Sequence, residues 1–102
     1  MEILQKSAIT ITYGKPFINW NNKMFSELPM EEDMLGESST YLVNGGFDDP
    51  EKLINKYFKQ IFKAELTTIN ADEKTWPSPL TLDLFEDWFY FEISDFVAEL
   101  EG

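Results

Sequence analysis

Pro79-Leu80-Thr81-Leu82-Asp83-Leu84-Phe85-Glu86-Asp87-Trp88-Phe89-Tyr90-Phe91-Glu92-Ile93-Ser94-Asp95-Phe96-Val97-Ala98-Glu99-Leu100 is the stretch whose periodicity decides the fold. Projected at about 100° per residue, Leu82, Phe85, Phe89, Ile93, Phe96, Val97 and Leu100 share one arc of about 120°. That spacing predicts a helix over 79–100, led in by Trp76-Pro77, with Ser78 as its cap and Pro79 at the first helical position. At 1.5 Å per residue such a helix spans roughly 33 Å, the width of a small domain. A second apolar stripe, Leu84, Trp88 and Phe91, falls on its other side with Asp87 and Asp95 beside it. Residues 75–102 hold seven carboxylates and no Lys. A helix apolar on two sides is either sandwiched within its own domain or covered by a partner. Leu84, Trp88, Phe91, Asp87 and Asp95 are therefore the candidate partner surface.

Working back along the chain, the segment from Asp48 is the other strong helix. Asp48 or Asp49 caps it, Pro50 takes the first position, and Glu51 lies in the first turn, where the helix dipole favours an anion. Leu53, Ile54, Tyr57, Phe58, Ile61 and Phe62 make one face, and Lys52, Lys56, Lys59 and Lys63 the opposite one. The expected span is 50–66. Lys52/Lys56 and Lys59/Lys63 are like-charge pairs four apart, each unfavourable by about 0.2–0.5 kcal/mol on an isolated helix. The stripe is a solvated helix face or, if carboxylates oppose it, a surface for an acidic partner. Residues 67–75 read as a polar connection with a short extended piece at 67–69.

The N-terminal half carries the strands. Ile9, Ile11 and Tyr13 alternate with Thr10 and Thr12, so 8–13 is a half-buried strand that ends at Gly14-Lys15-Pro16. Phe17, Trp20, Met24 and Leu28 then recur three and four apart, predicting a helix over 16–26. A hairpin turning at Gly14-Lys15 competes, because Asn19, Asn21 and Asn22 are poor helix formers. Met30 to Leu35 reads as one acidic turn. Ser39 to Val43 is a second short strand, stopped by Asn44-Gly45-Gly46. The expectation is one α+β domain over 1–102: a short β-sheet, strands near 8–13 and 39–43, packed by two main amphipathic helices near 50–66 and 79–100.

Composition removes whole classes of chemistry. In 102 residues there are 8 Lys against 19 Asp and Glu, a formal net charge of −11, and no Arg, His or Cys. Without Cys there is neither a disulfide framework nor a thiolate nucleophile. Without His there is no imidazole base or His-ligated metal, and without Arg no bidentate fork for phosphate. Nucleic acid and anionic membranes are repelled by such a surface. The N-terminus lacks a secretory pattern and nothing approaches a membrane span, so the expected setting is cytoplasmic. Carboxylate pairs such as Glu31-Glu32, Asp48-Asp49, Asp72-Glu73 and Glu86-Asp87 match no calcium-loop spacing, and no serine sits in a nucleophile elbow. No catalytic residue, metal ligand or cofactor is assigned. The aromatic share of 16% argues for a folded core rather than disorder.

Gly14-Lys15-Pro16-Phe17 with Trp20, then Phe47-Asp48-Asp49-Pro50-Glu51-Lys52, then Trp76-Pro77 and the acidic, aromatic C-terminal segment together resemble a group of small acidic bacterial proteins. The resemblance implies a bacterial cytosolic setting and brings no activity or ligand. The expected function is that of a non-enzymatic protein-binding module, its partner foreign or a second copy in a homodimer. An immunity- or antitoxin-like inhibitor of a basic partner is the sharper form, through electrostatic steering. A DNA mimic is a variant of it. The alternative is a small-molecule-binding domain or an enzyme using carboxylates.

Overall fold

Alternation places Ser7, Ile9 and Ile11 on one side of a strand that is fully buried at all three positions, and this strand organises the molecule. The computed structural model describes residues 1–24, 37–45 and 49–101. Within them the order is β1 (Glu2–Leu4), β2 (Lys6–Tyr13), α1 (Lys15–Met24), β3 (Ser38–Asn44), α2 (Pro50–Ile69), a 3-10 turn (Glu73–Thr75), α3 (Leu82–Trp88), β4 (Phe89–Ser94) and β5 (Val97–Glu99). The fold is mixed α+β, with a three-stranded antiparallel sheet in the order β3-β2-β4 and a two-stranded one made of β1 and β5. Between the pairs Leu4↔Val97 and Ala8↔Ser94, three residues of the N-terminal strand face two of the C-terminal one. One extra residue at this point bends the ribbon as a bulge does and divides it into two sheets.

Helices cover one face of the larger sheet. Phe17 and Trp20 from α1, Leu53, Ile54, Ile61, Phe62 and Leu66 from α2, and Phe85 from α3 close over Ile9, Ile11, Val43 and Phe89. The other face is solvated: Thr10 and Thr40 hydroxyls meet at 2.9 Å, Tyr90 is 72% exposed and Leu42 55%. Sequence patterning locates β2, β3, α1 and α2 closely. Asp49 is the α2 cap, accepting from the Glu51 N–H at 3.0 Å, with Pro50 opening the helix. Residues 67–69, read as extended, form the last turn of α2 instead. Its lengthening is supported by Thr67 and Thr68 hydroxyls that donate back to Lys63 and Glu65 carbonyls. The acidic turn expected at 30–35 lies outside the described residues, as do the last two residues of the 16–26 helix, and Asp48.

The helix expected over 79–100 is the substantive correction. Helix α3 starts at Leu82 with Thr81, not Ser78, as cap, its side chain accepting from the Leu84 N–H at 3.2 Å. It stops at Trp88, whose carbonyl accepts from the Gly14 N–H at 2.8 Å. From Phe89 the chain is extended and pairs with β2 from Tyr13↔Phe89 to Ala8↔Ser94. The physical reason is the second edge of β2. Its backbone groups need partners once Ile9 and Ile11 are buried, and six residues of β4 supply them. Phe89, Phe91 and Ile93 then turn inward while Tyr90, Glu92 and Ser94 turn out. Phe96 and Leu100, read as core, are 53% and 77% exposed.

Candidate functional site

Two clefts flank the helix-covered face. The first is a groove of about 240 Å³ between β3 and α2. Its strand wall is Tyr41, Leu42, Val43 and Asn44, its helix wall Tyr57, Gln60, Ile61 and Ala64, and Lys6 closes one end. Successive side chains of a strand point to opposite faces, so a cleft touched by four consecutive residues runs along the strand's edge. Among the described residues strand β3 is an outer strand of the sheet. Every second residue of it therefore turns its N–H and C=O away from β2 and toward the groove.

The floor of this side is tied by a polar clamp. Glu65 is 4% exposed, and its carboxyl group accepts from two phenols: Tyr13 Oη donates to Oε1 at 3.1 Å and Tyr41 Oη to Oε2. One residue of α2 thus holds β2 and β3 together. Burial, the hydrogen bond to Glu65 and its negative charge hold the Tyr41 phenol well above the ordinary tyrosine range. Burial and the Glu65 charge raise Tyr13 as well. A phenol so raised is a weaker acid, and Glu65 is buried and does not line the groove, so the arrangement is built to hold rather than to transfer protons.

The second cleft, about 300 Å³, lies where Pro50, Glu51, Ile54 and Asn55 of α2 approach Leu82 and Glu86 of α3 and Phe91 and Ile93 of β4. Only the inward residues of β4 reach it, so it opens on the packed face of the sheet and presents no strand edge. Among the described residues no group of three carboxylates converges as a metal ion would require. None of the described helices is long and apolar enough to cross a membrane.

The sequence-derived site residues are distributed unevenly over these features. Leu84 and Trp88 lie on α3, Phe91 on β4 and Asp95 on the bend after it, so the common helical face that joined them does not exist. Trp88 packs inward, 6.2 Å from Phe17, 6.0 Å from Trp20 and 5.7 Å from Phe62 between ring centroids. Leu84 and Phe91 also pack against the core, while Asp87 and Asp95 are exposed. Lys52, Lys56, Lys59 and Lys63 are all exposed along α2. Lys56 Nζ stands 5.3 Å from the centre of the Tyr57 ring, a groove residue. Sequence patterning found the lysines, because helical period shows them. It did not find Tyr41, Tyr57 and Glu65, whose juxtaposition depends on how α2 lies against β3. A Glu on the apolar face of an otherwise regular helix was the one available sign of the clamp. The chain matches no protein-family model, no curated protein and no solved structure.

Proposed function

We propose that this protein is a non-enzymatic binding module that takes up a segment of another polypeptide, in extended form, along the open edge of β3. The observation that carries the reading is the groove's position: it is lined by four consecutive residues of the outer strand β3 on one side and by half-buried Tyr57 and buried Ile61 on the other. Adding a strand there gives main-chain hydrogen bonds for affinity and alternate side-chain contacts for selectivity. A small-molecule site would call for a more enclosed cavity with convergent polar groups, and Lys6 and Asn44 already bond each other at 3.1 Å. Inhibition of a basic partner, the form expected from the acidic C-terminal segment, would need an apolar anchor among its carboxylates. Leu84, Trp88 and Phe91 are engaged in the core instead.

The test is titration of the ¹⁵N-labelled protein with alternating heptapeptides of Val with Thr, Glu or Lys. Amide shifts confined to residue 6 and to 38–44 and 56–64 are expected for at least one peptide. Methylating one alternate set of that peptide's backbone nitrogens should abolish binding, and methylating the other set should not. Shifts elsewhere, or indifference to both methylation patterns, would overturn strand addition.

A further inference from the structure

Resting on that reading, we infer that the segment received by the groove is acidic: an extended stretch of a partner protein bearing carboxylates that meet Lys56, Lys63 and Lys6. Gln60 and Ala64 are the exposed residues on the groove's helix wall, and Gln60 is the one with a polar side chain. Gln60's neighbours three and four residues away on the helix are Tyr57 and Ala64, which also line the groove, and Lys56 and Lys63. Both lysines are exposed beside this wall on the helix-covered side of the sheet, and Lys56 Nζ stands 5.3 Å from the ring of the groove residue Tyr57. Lys6 stands at the groove's end, on the opposite face, where its Nζ donates to Asn44 Oδ1. An added strand therefore has cationic groups above and below its plane, within reach of side chains pointing either way.

The walls carry no exposed carboxylate to cancel this. Strand β3 has none, and along α2 the acidic residues are Glu51 and Glu65. Glu51 is nine residues, about 13 Å, from Gln60, and Glu65 is buried under its two phenols. In a chain of net charge −11, four of the 8 lysines gather on one helix with no ion pair among the described residues, at a cost in self-repulsion. An incoming carboxylate relieves that repulsion. The overall negative charge does not forbid the approach, because a short segment is sensed within about 8 Å at physiological salt. A long polyanion would also overlap the acidic remainder of the surface, which favours a peptide over nucleic acid.

The experiment measures affinities of the intact protein for the Glu/Val, Thr/Val and Lys/Val heptapeptides and for an oligothymidylate of about 12 nucleotides. Affinity for Glu/Val is expected to exceed that for Thr/Val by about tenfold, and to fall as salt rises from about 50 to 300 mM. The double substitution Lys56→Gln/Lys63→Gln, at exposed sites, should reduce Glu/Val affinity by about five- to tenfold and leave Thr/Val unchanged. Equal binding of Thr/Val and Glu/Val, or no effect of the double substitution, overturns the acidic partner while leaving strand addition standing. Binding of none of the peptides overturns both. Tighter binding of the oligothymidylate than of Glu/Val also overturns the inference, assigning the lysines to nucleic acid.

Discussion

On the β4 flank of the sheet, Phe85 lies 5.2 Å from Phe89, 5.7 Å from Phe62 and 5.9 Å from Phe91 between ring centroids. Phe89 in turn lies 5.1 Å from Phe17. On the β3 flank no such stack connects helix to strand among the described residues; a joining element there is Glu65 with its two phenols, and a groove remains beside it. Tyr13 belongs to both, its ring 4.8 Å from Phe17 and its hydroxyl on Glu65. The difference teaches how a domain of this size keeps a groove open beside one flank of its sheet. Rings in tilted and edge contact fill space and bring strand and helix together. A carboxylate between two hydroxyls fixes the same spacing with three side chains and leaves room along the strand.

If stability is concentrated on the aromatic flank, breaking it should have the largest effect. Phe85→Ala removes a fully buried ring with four aromatic neighbours and should cost about 3–5 kcal/mol in urea unfolding. A loss below about 1 kcal/mol would show that the flank collapses to fill the void, and the contrast between flanks would fail. Gly14→Ala tests the same flank without touching a ring. A Cβ there would stand 2.7 Å from the Trp88 carbonyl oxygen and 3.1 Å from its carbon. Both are backbone atoms at the α3–β4 junction and cannot swing aside. The expected cost is about 2–3 kcal/mol.

That junction is also where sequence reading and structure part. Phe85, Phe89 and Ile93 are spaced by four, which a helix and a strand can both place on one face, because four is close to 3.6 and is twice two. The helical arc over 79–100 collected these residues without testing whether Phe89, Phe91 and Ile93 alternate with Tyr90, Glu92 and Ser94, as they do in β4. Elements with one consistent period were legible. Ile9 and Ile11 admit only a strand, and Leu53, Ile54, Ile61 and Phe62 only a helix, with Asp49 and Pro50 marking its start. The candidate site was legible by half. The α2 lysines follow from that helix alone, whereas the clamp arises from contacts between residues 24 or 52 apart in sequence and the strand edge from the pairing of β2 with β3.

On the polar flank, Glu65→Ala strands two half-buried phenols and opens space under α2. The expected cost is about 2–3 kcal/mol, less than that of Phe85→Ala. Glu65→Gln keeps one acceptor and supplies a donor that a phenol oxygen can take, so it should lie within about 1 kcal/mol of wild type. A Gln variant as unstable as the Ala variant would mean that charge, not hydrogen bonding, holds the clamp. Tyr41→Phe removes one hydroxyl and should cost about 1–2 kcal/mol. Because Tyr41 also walls the groove, the heptapeptide titrations repeated on this variant report whether the clamp shapes the groove.

The smallest effect is a pH dependence that separates the flanks without altering either. Tyr13 and Tyr41 both have pKa values raised above the ordinary value of 10.0, first by burial and then through Glu65. For a group whose pKa is higher folded than unfolded, the folded state holds the extra proton in the interval between the two values. Stability from the clamp is then fully present below about pH 10 and is lost as pH rises through that value toward the folded pKa. The 8 lysines lose charge in the same range, so wild type alone is ambiguous. Comparison with Tyr41→Phe resolves it, since both proteins carry the same lysines. Between about pH 9.5 and 11.5 the wild-type melting temperature should fall more steeply than that of Tyr41→Phe, and the two curves should converge at the alkaline end. Phe85→Ala, which weakens the other flank, should run parallel to wild type. Parallel curves for wild type and Tyr41→Phe would mean that ionisation of the Tyr41 phenol does not load the folded state, and the polar clamp would then contribute by shape alone.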